Sequence, residues 1–135
     1  MVDVLKLAEG VAKAISEDVE VELVPQFDLK GLKEMRVIVV PAGLGHKMKA
    51  RAIREDEFKI HVGVLKKCSE DELLDLVNTV SGIGVDLLYS EIEGAKCVSV
   101  EYNPLYYPDH FRERRQFTGV LELTFKEIQR DEKRR

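Results

Sequence analysis

Hydrophobic and polar positions alternate along this chain with two periods. Val4, Leu7, Ala8, Val11, Ala14 and Ile15 recur at steps of three and four, which predicts a helix over residues 3–17 with one apolar stripe. Gly10 in its middle costs about 1 kcal/mol against Ala, so either a neighbour comes close there or the helix is locally weakened. The period then falls to two. Val19, Val21 and Leu23 alternate with Glu20, Glu22 and Val24 before Pro25, a half-exposed strand with an acidic outer face. Residues 27–33 are too mixed over too short a span for an element and predict a connection with at most a helical turn. Residues 35–40 are continuous and β-branched, as in a strand buried on both faces.

Residues 41–57 turn polar. Gly43 and Gly45 precede His46, Lys47, Lys49, Arg51 and Arg54, and the acidic Glu55, Asp56 and Glu57 follow, which predicts a projecting loop or frayed hairpin. Phe58, Ile60, Val62 and Val64 then alternate with Lys59, His61, Gly63 and Leu65, a strand expected to pair with the residues before the loop. Ser69 and Glu72 have capping-box spacing, and Glu70 and Asp71 favour the positive end of a helix. Leu73, Leu74, Val77, Val80, Leu87 and Leu88 form its stripe, with Gly82 and Gly84 placed to bend or interrupt it. Residues 96–102 and 117–127 alternate as two further strands, joined by a stiff loop that Pro104 and Pro108 pin. The order αβββαββ, with connections mostly too short for parallel crossovers, predicts an α+β fold: a mainly antiparallel sheet of about five strands with two helices packed on it. One domain over residues 1–128 and a charged flexible tail over 129–135 are expected.

Composition narrows the function. A chain of 135 residues, 44% hydrophobic and 34% charged, builds one core and is not disordered overall. Its net charge of −4 supplies no global attraction to nucleic acid or anionic lipid. The first residues lack a secretory pattern, and the longest uncharged apolar run, residues 37–44, is far short of the roughly 20 residues that span a bilayer, so no membrane partner is expected. Cys68 and Cys97 form no CxxC or Cys/His cluster, and His46, His61 and His110 have no ligand spacing. Dinucleotide, P-loop and nucleophile-elbow patterns are absent as well. No catalytic, metal or cofactor-binding residue is therefore predicted, no cofactor is expected, and a small enzyme with an unrecognised carboxylate site ranks last among the readings.

Two stretches carry candidate interface chemistry. Lys47, Lys49, Arg51 and Arg54 make a basic arm: a phosphate-binding edge, a solvated hairpin whose charges discourage aggregation, or an arm that docks on the acidic Glu20 and Glu22 of another copy. The segment 102–116 holds Tyr106, Tyr107, Phe111, Arg112, Arg114 and Arg115, the residue types that anchor interfaces. Taken together, the two stretches also fit a small nucleic-acid-binding module, with cations on phosphate and tyrosines stacked on bases.

The run Asn103-Pro-Leu-Tyr-Tyr-Pro-Asp-His-Phe-Arg-Glu-Arg-Arg-Gln-Phe-Thr-Gly-Val-Leu-Glu-Leu-Thr-Phe125 resembles the C-terminal half of small neck proteins of tailed bacteriophages and prophages, in which a pattern close to PLYxPxxLRExRQFTSVLTLTF ends the domain. Arg36-Val-Ile-Val-Val-Pro41 and Phe58-Lys-Ile-His-Val-Gly-Val-Leu-Lys-Lys67 are similar to the same family, and the likeness covers about three quarters of the chain in the same order. The chain departs from the pattern at His110-Phe111, where Leu is more usual, and at Gly119, where Ser is expected. The resemblance implies an α+β structural virion protein, not an enzyme: a tail terminator or tail-completion protein acting as a six-membered ring between the tail tube protein and the head connector or stopper protein. It implies that DNA passes through the ring without being specifically bound, and that the protein is made in the host cytoplasm and resides in the virion neck.

Overall fold

The computed structural model describes residues 3–23, 35–103 and 105–130, with the side chains of the last two left aside. The expected connection at 27–33 and the tail from 131 onward lie outside the described residues.

Helix α1 spans Val4–Ile15, and the Asp3 carboxylate caps it by accepting from the backbone N–H of Leu5 at 2.8 Å and of Lys6 at 3.4 Å. Its buried stripe is Leu7, Ala8, Val11 and Ala12, whereas Ala14 is exposed. Gly10 is explained by a close neighbour: a Cβ there would lie 2.5 Å from Ile92 Cγ2. The half-exposed strand expected after the helix shrinks to β1, Glu20–Val21.

The long apolar run and the basic stretch belong to one strand, β2, Arg36–Ala50, which turns at Arg51 and Ala52 into β3, Ile53–Lys67. The expected loop is thus a regular antiparallel hairpin in register from Arg36↔Leu65 to Ala50↔Ile53, with bulges after Pro41 and Met48. Opposite charges carry the pairing to the tip, because the acidic 55–57 stretch lies directly opposite the basic one: Lys47 faces Glu55 and His46 faces Asp56.

A 3-10 turn, Glu70–Glu72, leads into helix α2, Leu73–Leu87. The Glu72 carboxylate accepts from the Ser69 backbone N–H at 3.2 Å, as the capping-box spacing predicts. The helix is uninterrupted through Gly82 and Gly84. Its stripe is Leu76, Val80, Gly84 and Leu87, while Leu74 points outward. Gly84 permits close packing, since a Cβ there would press on the ring of Tyr102 and on Val100.

Strand β4, Glu91–Ile92, hairpins into β5, Ala95–Tyr102. The expected stiff loop contains a third helix, α3, Pro108–Arg114, with Pro108 at its first turn and Arg115 capping it at φ 51°. Strand β6, Gln116–Arg130, runs three residues beyond its expected end.

The sheet has six strands in the order β1-β2-β3-β6-β5-β4, and the parallel β1–β2 pair makes it mixed. Among the described residues the fold is α+β with three helices and six strands, one more helix and one more strand than the hydrophobic pattern predicts. The last strand lies at the centre, paired with β3 along all fifteen residues of each. On one face Val39, Phe58, Ile60, Val62, Val64, Leu121, Leu123 and Phe125 meet α1 and α2 in the main core. On the other, Ile38 and Leu65 form a small buried cluster with Val40 packed against it, Lys59, His61, Glu122 and Lys126 make a polar stretch, and Ile128 is exposed. No helix among the described residues is long and apolar enough to cross a membrane.

Candidate functional site: a projecting arm and two charged surfaces

The pairing of β5 with β6 ends at Lys96↔Lys126, while β2, β3 and β6 continue past it. What projects is a three-stranded arm. Along β2 and β3 the side chains alternate faces, so Leu44, His46, Met48, Arg54 and Asp56 share the face that carries the helices, and Lys47 and Glu55 share the other.

Asp56 organises the arm. Its carboxylate is fully buried and accepts from Arg54 Nε at 2.8 Å, from Arg54 Nη2 at 3.3 Å and from His46 Nδ1 at 2.6 Å. Burial alone would push its pKa up, but the hydrogen bonds and positive charge of Arg54 and His46 outweigh it and hold the carboxyl below its ordinary value. On the other face Glu55 lies between Lys49 at 3.6 Å and Lys126 at 3.8 Å. The four cations of the arm therefore split. Lys49 and Arg54 are neutralised within the subunit, whereas Lys47 and Arg51 have no ion-pair partner among the described residues. The apolar Leu44 and Met48 beside them are 52% and 63% exposed.

The acidic pair expected to meet this arm lies elsewhere. Glu20 pairs in register with Ile38 and Glu22 follows β1, at the opposite end of β2 from Lys47 and Lys49. Glu22 is held by the Arg36 guanidinium of its own subunit, so it is occupied locally.

The aromatic and arginine-rich segment is also remote from the arm. It folds along the first residues of β6, before the pairing with β5 begins at Leu121, where the Tyr107 N–H donates to the Thr118 carbonyl at 2.8 Å and His110 Nδ1 meets Thr118 Oγ1 at 2.9 Å. Thr118 and Gln129, the register partner of Arg54, are eleven positions apart on β6, or about 35 Å at the rise of an extended strand. Tyr106 stacks on Phe117 with ring centroids 6.0 Å apart and belongs to the core. Tyr107 stacks on His110 at 4.7 Å, and Phe111 lies beneath the Arg115 guanidinium at 5.0 Å. Arg112 pairs with Asp109 at 3.1 Å on the surface, and the carbonyl of Arg114 accepts from Lys67 Nζ at 3.0 Å. The basic arm and the Tyr/Arg segment thus lie at separate places along β6.

Two features escape the hydrophobic pattern. The helix-free face carries Glu122 between Lys59 at 3.1 Å and His61 at 3.2 Å, and these hydrogen bonds hold its carboxyl below the usual range. Only the β3–β6 register reveals that arrangement. The outer face of α2 carries Leu74, 70% exposed, and Val85, 67% exposed, with Tyr89 just beyond the helix at 70%. The residues from 69 to 95 contain seven acids and no lysine or arginine, a segregation that is legible by counting.

The thiols are quiet. Burial pushes both Cys97 and Cys68 above the ordinary cysteine pKa, and no group of three or more potential ligands comes together among the described residues. The arrangement therefore offers two surfaces of opposite charge at separate places on the molecule. No protein-family model matches the chain, and no curated protein matches it.

Proposed function

We propose that this chain is a structural virion protein of a tailed phage, a tail terminator or tail-completion protein that assembles as a ring, six-membered in the first instance, between the tail tube and the head connector. The observation that carries the reading is the resemblance of residues 36–41, 58–67 and 103–125 to phage neck proteins. In the fold these three stretches occupy β2, β3 and the α3–β6 unit, three neighbouring strands at the middle of the sheet.

Physical support comes from the distribution of charge. A ring needs two different surfaces on each subunit that complement one another. This chain has a cationic, apolar-tipped arm and an acidic surface around α2, although its net charge is only −4. DNA passing through such a ring is a transient occupant, and the α3 arginines supply no second cationic patch next to the arm. The tube and connector proteins are the expected partners above and below the ring.

Native mass spectrometry over a wide concentration range, with negative-stain imaging of the assemblies, tests the proposal. A closed ring with a central hole supports it. A monomer at every concentration, together with salt-sensitive retention of DNA, overturns it in favour of a nucleic-acid-binding module.

A further inference from the structure

Between the C-terminal halves of α1 and α2 lies a cleft of about 310 Å³. Its walls are apolar, from Ile15, Ile83, Leu87 and Ile92, and Asp86 and Glu91 stand exposed at its rim. One wall comes from the segment that has seven acids and no base, the other from the last turn of α1, where Lys13 precedes the lining Ala14; Lys96 is turned over the Tyr89 ring at 5.9 Å. The arm presents the converse: Met48 and Leu44 are exposed on one face, Lys47 lies next to Met48 on the other face and Arg51 at the turn, neither cation with an ion-pair partner among the described residues.

We infer that the arm of one copy docks in the α1/α2 cleft of the next, with Met48 entering the apolar walls and Lys47 and Arg51 meeting Asp86 and Glu91. The occupant is a second copy of this chain because the chain itself carries the complementary surface, apolar at the centre and opposite in charge at the rim. Met is suited to the task, since its unbranched side chain fills irregular apolar space. Arm and cleft are different surfaces, so the contact is head-to-tail and either closes into a ring or continues as a filament. The inference rests on the ring reading and deepens it by naming the contact.

Charge reversal tests it with residues that are all exposed, so folding should be preserved; circular dichroism checks this. Lys47→Glu with Arg51→Glu, and separately Asp86→Lys with Glu91→Lys, should each raise the concentration needed for assembly by about tenfold or more. Mixed in equal amounts, the two variants should regain assembly with alternating composition, because each arm then faces a cleft of opposite charge. A chain carrying all four changes should assemble by itself, and Met48→Asp should weaken assembly without rescue by either variant. If the wild type assembles and both charge variants do so unchanged, the arm–cleft contact is wrong while the ring reading stands. A wild type that stays monomeric at every concentration overturns the contact, and salt-sensitive retention of DNA beside it overturns the ring reading as well.

Discussion

Gly82 and Gly84 lie two residues apart on α2 and have opposite surroundings. Nothing lies within 4 Å of a Cβ built on Gly82, whereas one on Gly84 meets Val100 Cγ1 at 2.9 Å and the Tyr102 ring. Gly82→Ala should therefore stabilise the isolated subunit by up to about 1 kcal/mol through helix propensity. Gly84→Ala gains the same propensity but overpacks, and should cost about 1–2 kcal/mol net. Urea unfolding midpoints decide between them. Combining Gly84→Ala with Tyr102→Ala should be less damaging than the sum of the two, because the ring that obstructs the methyl has gone.

Asp56 gives a prediction with a sign in pH. Its folded pKa lies below the unfolded value of about 3.9, so the folded state binds fewer protons in that window. The stability it contributes is fully present above the unfolded value and is lost as pH falls through the folded one. Asp56→Asn should cost about 1–3 kcal/mol at neutral pH, because Arg54 and His46 lose their charged acceptor. The gap between variant and wild type should narrow on acidification through the range below about pH 4. A gap independent of pH in denaturant titrations would exclude the assignment. The sequence shows Asp56 only as one of three acids after a basic run; its burial follows from the cross-strand register, which no spacing encodes.

At the scale of elements, α1 and α2 were legible because an apolar stripe at 3.6-residue period has few other solutions, and because Ser69 and Glu72 mark a helix start. The signals for α3 were present but short: Pro108 at its first turn, Asp109 beside it, and Arg112 and Arg114 in the last turn. Two prolines in the neighbourhood argued for a loop more strongly than seven residues argued for a helix. The β2–β3 arm was underestimated for another reason. Its outer half has little apolar content, and it pairs because opposite charges face each other and β6 supplies a third strand. The arm's turn is not optimised, since Ala52 has φ 62°, the left-handed region where a methyl is strained. Ala52→Gly should slow amide exchange along residues 46–57, and Ala52→Val should speed it, the difference being about 1 kcal/mol of local opening free energy. Equal exchange in both variants would mean that β6, rather than the turn, limits opening of the arm.

For the whole molecule, net charge hides the feature that matters. The value of −4 excludes a global attraction to polyanions, yet it averages an acidic surface around α2 with a basic arm some strands away. Pairing that arm with Glu20 and Glu22 meets a geometric obstacle, because Glu22 is occupied by Arg36 and both acids lie at the far end of β2. The larger acidic surface is around α2, where the sequence shows charge but not exposure. Assembly through an apolar centre with a charged rim has a characteristic response to salt. Raising ionic strength from about 0.05 to 0.5 M shortens the screening length to a few ångströms, which weakens rim attraction while leaving Met48 in its cleft. The wild type should therefore assemble more slowly and less tightly with salt but should not dissociate completely. Met48→Ala should make the remaining assembly far more salt-sensitive, because the rim charges then carry most of the contact. A chain with all four charges reversed should follow the wild-type salt curve, since the same charges meet with their signs exchanged. Light scattering across that salt range measures all three curves, and a Met48→Ala curve parallel to the wild type would remove Met48 from the contact.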